Sequence, residues 1–387
     1  MTNRKKVVIV GPAFPLRGGI ANFNEALSRE MNLKGYATEL VSFSYQYPKI
    51  LFPGKTQFAE GKGPEDLKIH TRINSVNPVN WIKIAKFITG LKPDYVIIRF
   101  WLPFMGLALG TIAGKLRKKG IKVLAITDNV IPHESRLGDR WLTKYFLKRC
   151  DGFITLSKSV LEDISQFTDN QNKIMLPHPV YNIFGESVSR NKGIEKLSLD
   201  VNLKYILFFG LIRGYKGLDL ALKALQDSRI KELGIKLIIA GEFYDKREKY
   251  SHLLEANKGS VLLYDHYIPQ EQVRYYFAAA DCVVQPYKTA TQSGITQVAY
   301  NFNKPMIVTN VGGLPEIVAH DKVGYVTELN ENAIADAIVR FYTENKKAEF
   351  EKNVELEKEK FSWEHFIDSL ADFEEGVSLH LTIQDQT

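Results

Sequence analysis

Short apolar runs alternate along this chain with segments that repeat apolar residues at helical spacing. Many of the runs are almost continuously apolar, which is typical of parallel strands covered by helices on both faces. The intervening segments, such as GIANFNEALSREMNLKG and GLDLALKALQDSRIKELG, end at glycine as helices often do. The twelve predicted strands are KVVIVGP, ATELVSFS, DYVIIRF, KVLAIT, GFITLS, KIMLP, YILFFG, KLIIAG, VLLYD, CVVQP, PMIVT and GYVTE. The alternation predicts an α/β fold with doubly wound parallel sheets.

One polar stretch interrupts this alternation and suggests a domain boundary. Residues 185–204, GESVSRNKGIEKLSLDVNLK, are rich in Ser, Asn and Lys and lack clear periodicity. We therefore predict two Rossmann-like domains, residues 1–185 and 186–362, followed by a last helix from about residue 363 to 387. Ligands of such sheets bind at the carboxyl ends of the strands, so the loops after strands are the expected functional sites.

Charge divides the chain in the same place. Residues 1–185 hold 27 Lys and Arg against 14 Asp and Glu, a net charge of +13, and the remainder hold 24 against 30, a net charge of −6. The basic half suggests an anionic partner such as a membrane surface or phosphorylated lipid, although a well-solvated basic surface is the alternative. Zinc-ligand spacing, an aromatic RNA-binding motif and a compact arginine cluster are all missing, so we expect no nucleic-acid partner.

The cysteines and the apolar segments indicate a cytoplasmic protein. Cys150 and Cys282 are far apart in apolar contexts and provide neither a disulfide framework nor metal-ligand spacing. The N-terminal MTNRKKVVIVGPAF has only a strand-length apolar run and no cleavage pattern. Residues 96–114 are interrupted by Arg99 and Pro103, which favours a buried strand and helix over a membrane span. Peripheral association with the inner face of the membrane stays open.

Four loops after predicted strands carry candidate chemistry. GPAFPLRGGIANF places glycines at a helix start, where backbone amides can approach an anion, but it lacks the G-x-G-x-x-G dinucleotide fingerprint. FFGLIRGYKGLDLAL places Arg213 and Lys216 three residues apart, which suits a diphosphate. ITDNVIPHES offers Asp128 and His133 to sugar hydroxyls or developing positive charge. IVTNVGGLPEIV places Glu316 near a helix start. A plain turn, a solvated basic turn or helix capping is the alternative in each case.

These motifs together resemble the family-4 retaining glycosyltransferases, also described as glycosyl transferases group 1. FFGLIRGYKGLDLALKAL, AGEF, YYFAAADCVVQPY and NKPMIVTNVGGLPEIV resemble their C-terminal domain, and RGGIANFNEALSREMNLKGYATELVSF looks like their first loop and helix. NVIPHE is similar to their loop near the acceptor. The resemblance covers nearly the whole chain. It implies a GT-B fold, in which two Rossmann-like domains face a central cleft with a nucleotide-sugar, and a last helix that crosses back to the N-terminal domain.

The resemblance carries over to individual residues of the donor site. Lys216 matches the family's phosphate-binding lysine. The family's arginine usually follows the glycine that is Gly210 here, but that position is Leu211, so Arg213 is the expected substitute. The other matches are the glycine loop beside the diphosphate (Gly18 and Gly19), the segment that holds the base through backbone groups (Tyr267 and Ile268), and Glu316 of the GG-x-P-E turn.

Two departures from the family pattern bear on catalysis. The family often has a histidine beside the donor sugar where this chain has Asp128, which leaves Asp128 and His133 as the candidate catalytic groups. The family's two glutamates, eight positions apart, fall at Ala290 and Val298. Neutral groups at a helix N-terminus would have to bind the donor instead. These candidate donor-binding residues are Gln292, Ser293, Gly294, Ile295, Thr296 and Gln297.

The expected activity is therefore transfer of a sugar, of the hexosyl type, from a UDP- or GDP-sugar to a hydroxyl acceptor. A lipid-linked or surface-polysaccharide or lipopolysaccharide intermediate fits the basic N-terminal half. No Asp-x-Asp occurs, and two cations are available for the diphosphate, so we expect neither a metal nor another cofactor. A non-catalytic GT-B protein that binds a glycan or nucleotide, favoured by the missing glutamates, and a GT-B nucleotide-sugar epimerase are the alternatives.

Overall fold

The computed structural model describes residues 4–48, 56–59, 61–132, 137–180, 183–290 and 293–384. The chain divides into two compact units. The first unit consists of Met1–His178 together with Trp363–Thr387, and the second unit is Pro179–Ser362. Each unit is built around its own parallel sheet.

The first unit is a doubly wound sheet. Its strands are β1 (Lys6–Val10), β2 (Ala37–Tyr45), β3 (Ile69–Asn74), β4 (Tyr95–Phe100), β5 (Lys122–Thr127), β6 (Gly152–Thr155) and β7 (Lys173–Met175). Its helices before the boundary are α1 (Gly19–Leu33), α2 (Pro78–Gly90), α3 (Gly106–Arg117), α4 (Asp139–Leu147) and α5 (Lys158–Ile164). In the described part of this unit the strands lie parallel in the order β3-β2-β1-β4-β5-β6-β7. Central strand β4 is buried throughout because helices cover both faces.

The second unit repeats this plan. Its strands are β8 (Lys204–Phe209), β9 (Ile235–Ala240), β10 (Val261–Tyr264), β11 (Cys282–Gln285), β12 (Met306–Thr309) and β13 (Gly324–Thr327). Its helices are α6 (Arg190–Lys196), α7 (Leu218–Ala224), α8 (Ser228–Glu232), α9 (Ser251–Ala256), α10 (Val273–Ala279), α11 (Gly294–Asn301), α12 (Leu314–Ile317), α13 (Glu331–Thr343) and α14 (Lys347–Glu357). Where the structure describes it, the sheet order is β10-β9-β8-β11-β12-β13, the Rossmann order.

The last helix, α15 (Trp363–Gln384), belongs to the first unit. Its Phe366 packs edge-on against Phe23 of α1, with ring centroids 5.9 Å apart. Its buried Glu374 accepts hydrogen bonds from Lys5, at 2.5 Å, and from Lys122. The chain therefore leaves the first unit at His178 and completes that unit after the whole second unit.

The observed sheets confirm the α/β, doubly wound fold class, but the strand prediction missed β3. The sequence of β3, IHTRIN, mixes apolar with polar and charged residues, and only Ile73 is fully buried. An edge strand needs fewer apolar residues than a central one because less of it faces the core. The continuously apolar pattern that identified the other strands is therefore absent from β3.

The boundary also differs from the predicted one. The division falls after His178 rather than after residue 185, and residues 190–196 of the supposed connection form α6. Gly193 of α6 lies so close to α10 that a Cβ there would be 2.7 Å from the backbone nitrogen of Ala279. The backbone N–H of Val180 donates to Phe361 O at 2.8 Å. The segment after His178 thus packs on the second unit, and α6 escaped detection because few of its side chains are buried.

Candidate functional site

The loop after β8 brings Lys216 to the first turn of α11. Gly210 has φ +97°, a conformation that favours glycine. A Cβ at Gly210 would lie 3.2 Å from Lys216 Nζ and 3.2 Å from Ile295 Cδ1. The absence of a side chain at Gly210 therefore lets the Lys216 ammonium and the start of α11 come together at the carboxyl edge of the sheet.

A second glycine fixes where Lys216 sits. Gly217 has φ +66°, and a Cβ on it would lie 1.8 Å from the carbonyl oxygen of Pro286. The β8–α7 loop is thus pressed against the end of β11. Lys216 Nζ lies 5.5 Å from the ring centroid of Tyr287, which is also buried. The lysine is held by backbone packing and an aromatic face.

The surroundings of Lys216 disfavour its charged form. Its side chain is buried, and it forms no ion pair with any residue that the structure describes. Burial, together with the positive charge of nearby Arg213, lowers the pKa of Lys216 to about 7. The Arg213 guanidinium lies 4.9 Å from the ring centroid of Tyr244. Two neighbouring cations of this kind suit the binding of a doubly charged anion.

The first turn of α11 supplies hydrogen-bonding groups instead of carboxylates. Ser293 Oγ caps the helix by accepting from the backbone N–H of Ile295 at 3.2 Å, and the Thr296 hydroxyl donates to Ser293 O. Gly294 begins the helix without a side chain. Gln292 lies outside the described residues. The structure thus places four of the predicted residues in one turn next to Lys216: Ser293, Gly294, Ile295 and Thr296.

Gln297 is the least satisfied side chain of this turn. It is fully buried, and neither its Nε2 nor its Oε1 has a hydrogen-bond partner in the described structure. Each unmet buried polar group costs about 1–3 kcal/mol. Nε2 of buried Gln285, at the end of β11, is unpartnered in the same way, while its Oε1 accepts from Ser293 Oγ at 2.8 Å. Two amides behind the α11 turn therefore keep hydrogen-bonding capacity.

The positions of the two missing glutamates are both buried. Ala290 accepts a hydrogen bond from the backbone N–H of Gly313 at 3.3 Å. Gly312 has φ +51°, and a Cβ on it would lie 1.3 Å from Ala290 O. Val298 lies in the interior of α11. Glu316 is exposed in the first turn of α12, directly after this turn. The glycine turn before α12 is thus stacked on the loop before α11.

The predicted base-binding segment lies at the same edge of the sheet. Tyr267 and Ile268 follow β10, and β9 separates β10 from β8 in the sheet order. Tyr267 is exposed, whereas Ile268 is buried. Parallel strands end at the same edge, so these residues share the carboxyl edge with Lys216.

In the first unit, the predicted glycine loop leads directly into α1. Gly18 is the N-cap with φ +119°, and Gly19 is the first helical residue. Because the N-cap residue is a glycine, no capping side chain bonds the first backbone N–H groups of this 15-residue helix. This arrangement suits the approach of an anionic group to the helix N-terminus.

Asp128 is held by an arginine that the sequence reasoning did not consider. Arg99, on β4, donates from Nε to Asp128 Oδ2 at 2.7 Å and from Nη2 to Oδ1. Arg99 is fully buried, with its guanidinium 4.0 Å from the ring centroid of Phe23. We expected Asp128 to bind a sugar hydroxyl or developing positive charge, and the structure shows that it also forms a bidentate ion pair. The available signal was an arginine near the end of an otherwise apolar strand.

The remaining predicted catalytic residue, His133, lies outside the described residues. No group of three or more His, Cys, Asp or Glu residues in the described ranges is arranged to hold a metal ion. Across the same ranges, the helices are too short or too polar to cross a bilayer.

Comparisons with known proteins agree with this geometry. Residues 189–358 match the family described as glycosyl transferases group 1. Over 295 residues the chain is 26% identical to "Uncharacterized glycosyltransferase MJ1178" of Methanocaldococcus jannaschii, covering 74% of this chain and 76% of the relative. Sucrose-phosphate synthase from Thermosynechococcus elongatus has a similar structure, with a TM-score of 0.73 at 15% identity, over 99% of this chain and 100% of that one. Anabaena Alr3699/HepE in complex with UDP gives a TM-score of 0.72 at 14% identity, over 96% and 100%.

These similarities confirm the family resemblance at the level of group 1 glycosyltransferases. The identities of the solved structures are low, so their similarity establishes the fold. The family match covers the part of the chain that holds Lys216 and α11. The chain therefore adopts the GT-B fold, and residues 189–358 of its second unit match the family model of the glycosyl transferases group 1.

Proposed function

We propose that this protein is a retaining glycosyltransferase that moves a sugar, of the hexosyl type, from a UDP- or GDP-sugar to a hydroxyl acceptor. The observation that carries the proposal is the buried Lys216 ammonium beside Arg213 and the first turn of α11. A buried cation without a counter-ion is stabilised by an anionic ligand. A nucleoside diphosphate brings that charge, and one structurally similar protein is described in complex with UDP.

In the proposed reaction, the bond between the anomeric carbon and the diphosphate oxygen breaks, and its electron pair leaves with the diphosphate. The acceptor oxygen bonds to the anomeric carbon, and the acceptor proton passes to the departing diphosphate oxygen. Lys216 and Arg213 stabilise the negative charge that develops on that leaving group, so the reaction requires no metal. Retention of configuration follows from the family resemblance.

Neutral groups take over the contacts that glutamates make in related enzymes. Gln297 has two unmet hydrogen-bonding atoms, which match a pair of ribose hydroxyls. In the first unit, two hydrogen bonds from Arg99 fix the plane of the Asp128 carboxylate. We assign Asp128 to binding a sugar hydroxyl in a fixed orientation.

The proposed acceptor is a lipid-linked or surface-polysaccharide or lipopolysaccharide intermediate at the inner face of the membrane. The support is the charge asymmetry, +13 in residues 1–185 against −6 in the remainder. A basic surface concentrates near anionic lipid headgroups, where such an acceptor would be held.

A thermal-shift screen against UDP, GDP, ADP and TDP, with and without EDTA, tests the donor site. A nucleotide at 100 times its dissociation constant should stabilise the protein by about 2.7 kcal/mol. We expect one nucleotide to raise the melting temperature, EDTA to leave the shift unchanged, and Lys216→Ala to abolish it. Lys223→Ala, which removes an exposed lysine of α7, is the matched control. A Lys216→Ala protein that keeps the full shift would contradict the proposal.

A non-catalytic nucleotide-binding protein is the second candidate, favoured by Ala290 and Val298 at the glutamate positions. Release of free nucleoside diphosphate from the matching nucleotide-sugar separates the two. An enzyme should release it slowly to water and faster with acceptor, and Lys216→Ala should stop both. A protein that binds the nucleotide-sugar and never releases the diphosphate would be the binding protein.

A further inference from the structure

Helices α2, α3 and α4 form a layer of one charge sign on the first unit. The three helices lie side by side, α2 against α3 and α3 against α4, and their inner side chains belong to one core with the sheet. Each helix carries two Lys or Arg, and Asp139 is the only carboxylate within their bounds. Their cations are Lys83, Lys86, Lys115, Arg117, Arg140 and Lys144.

A solvated helical surface usually mixes both signs, as the second unit does. There, Arg340 pairs with Glu344 at 2.9 Å, and Lys346 pairs with Glu349 at 3.0 Å. In contrast, Lys83, Lys86, Lys115 and Lys144 remain exposed and form no ion pair with any residue in the described ranges. Arg117 of the same layer pairs with Asp151 at 2.7 Å. Unneutralised cations on three neighbouring helices create a positive field that draws an anionic surface.

Large apolar side chains are exposed on the same layer. In α2, Val79 is 61% exposed and Ile82 is 51% exposed, and in α4, Trp141 is 60% exposed. Leu137, just before α4, is also fully exposed. α2 follows β3 and α4 follows β5, and parallel strands end at one edge, so the exposed apolar residues gather at the carboxyl edge of the sheet. The cations Lys83, Lys86, Arg140 and Lys144 lie within about two turns of them along the helices.

We propose that this α2–α3–α4 face docks on an anionic lipid bilayer. Trp141, Val79 and Ile82 enter the interfacial region, where an indole ring and short aliphatic groups are favoured. The lysines and arginines beside them neutralise anionic headgroups. The inference deepens the proposed function by giving the surface that would hold the enzyme beside a lipid-linked acceptor, and it rests on that function only for the identity of the acceptor.

The apolar component favours a bilayer over a nucleic acid. A phosphate backbone would satisfy the cations but would leave Val79 and Ile82 against a charged, hydrated partner. A bilayer interface satisfies both components in one plane. The charged and apolar components together also predict how vesicle binding responds to salt. Salt screens the attraction between the cations and the headgroups but does not weaken the insertion of the apolar side chains.

Vesicle co-sedimentation of the full chain tests the docking surface. We expect binding to vesicles of phosphatidylcholine with about one third phosphatidylglycerol, and little binding to phosphatidylcholine alone. Lys83→Glu with Lys144→Glu should weaken binding by at least roughly fivefold for each cation removed. Val79→Asp with Trp141→Asp should also reduce it strongly, because an acid would replace each inserted group. The matched controls are Leu356→Asp, at a side chain 63% exposed in the second unit, and Lys352→Glu, also in α14.

Two further measurements separate this inference from the donor site. Lys216→Ala should bind anionic vesicles as the wild type does, and the Val79 and Trp141 variants should keep the nucleotide thermal shift, which shows that they are folded. Equal loss of vesicle binding in the control variants would overturn the inference. So would unchanged binding in the face variants, or displacement of the protein from vesicles by duplex DNA at concentrations that saturate this face.

Discussion

Lys216 is a buried amine whose charge depends on what lies beside it. In the free protein, burial and Arg213 bring its pKa to about 7, so charged and neutral forms coexist near neutral pH. A bound diphosphate favours the charged form and raises that pKa. In the proposed mechanism, Lys216 must therefore take up a proton when the nucleotide binds.

Nucleotide affinity should therefore fall as pH rises above about 7. Below that pH, Lys216 is protonated with and without ligand, so affinity is level. Above it, binding takes up a proton, and affinity drops by up to tenfold per pH unit until the pKa of the complex is reached. Titration calorimetry at pH 8 in two buffers with different ionisation enthalpies should show uptake of nearly one proton. Lys216→Arg, which stays charged, should bind without uptake, and equal uptake in that variant would exclude Lys216 as the group.

Individual residues also show the limit of sequence reasoning. Motif matching identified Lys216, Asp128 and the α11 turn, because each sits next to a recognisable strand end. It could not find Arg99, which meets Asp128 only because β4 and β5 pair with Arg99 opposite Ile126. That register depends on the whole sheet. The missing partners of Gln297 are equally invisible, since they depend on what surrounds α11 in three dimensions.

At the scale of elements, two loops of the second unit pack against each other through backbone atoms, at a glycine that has no side chain. The turn before α12 meets the loop before α11 where Gly312 approaches the carbonyl oxygen of Ala290. The sequence indicated a turn at Gly312 and Gly313, and the structure shows that this turn packs on the loop before α11. The loop before α11, which leads into the proposed donor-binding residues, therefore packs against a second loop.

Gly312→Ala should disrupt that support, and Gly259→Ala is its matched control. Both glycines have positive φ, so each substitution costs about 1–2 kcal/mol for the left-handed conformation. Only at Gly312 would the new Cβ meet backbone, 1.3 Å from Ala290 O, whereas Gly259 has nothing within 4 Å. We expect Gly312→Ala alone to lose most of the nucleotide thermal shift. Similar shifts for both variants would mean that the two loops move independently.

Strongly apolar elements were predictable and mixed ones were not. β4 and β5 are mostly apolar because both faces are covered, and that pattern is visible in the sequence. β3 and α6 bury only one or two side chains each, so local composition favours a loop and tertiary packing decides the structure. The boundary lies a few residues earlier than predicted because the segment after His178 packs on the second unit, and that contact is not visible in the local composition.

At the scale of the whole molecule, Glu374 joins the last helix to the sheet of the first unit. It lies between Lys5 and Lys122, and Lys122 is itself largely buried. Burial opposes ionisation of Glu374, but hydrogen bonds from Lys122 and Lys5 outweigh it and hold its pKa below the ordinary value. One carboxylate thus pairs with two cations that are far apart in the sequence.

Glu374→Gln should destabilise the first unit selectively. Removing the carboxylate breaks its buried ion pair with Lys122, which costs about 3–5 kcal/mol. All four tryptophans, Trp81, Trp101, Trp141 and Trp363, lie in the first unit, so their fluorescence during urea unfolding reports on that unit. The midpoint should fall in Glu374→Gln and stay in Glu375→Gln, whose exposed carboxylate is 3.9 Å from Lys5.

The pH dependence gives a second test of the same pair. Because the folded-state pKa of Glu374 is depressed, its contribution is present above the unfolded pKa of about 4.5 and is lost as pH falls through the folded value. The difference in midpoint between wild type and Glu374→Gln should therefore shrink below about pH 4. A difference that does not change with pH would mean that the charge of Glu374 is not what stabilises the first unit.

Because α15 belongs to the first unit, that unit is completed only after the second unit has been synthesised. The second unit is one continuous segment and can fold as soon as it leaves the ribosome. The first unit is begun earlier, but Lys5 and Lys122 cannot pair with Glu374 until the whole second unit has been synthesised. A nascent chain therefore carries an unfinished N-terminal unit through most of its elongation. A stop codon just before residue 363 would damage the part of the protein that was made first and spare the part made last.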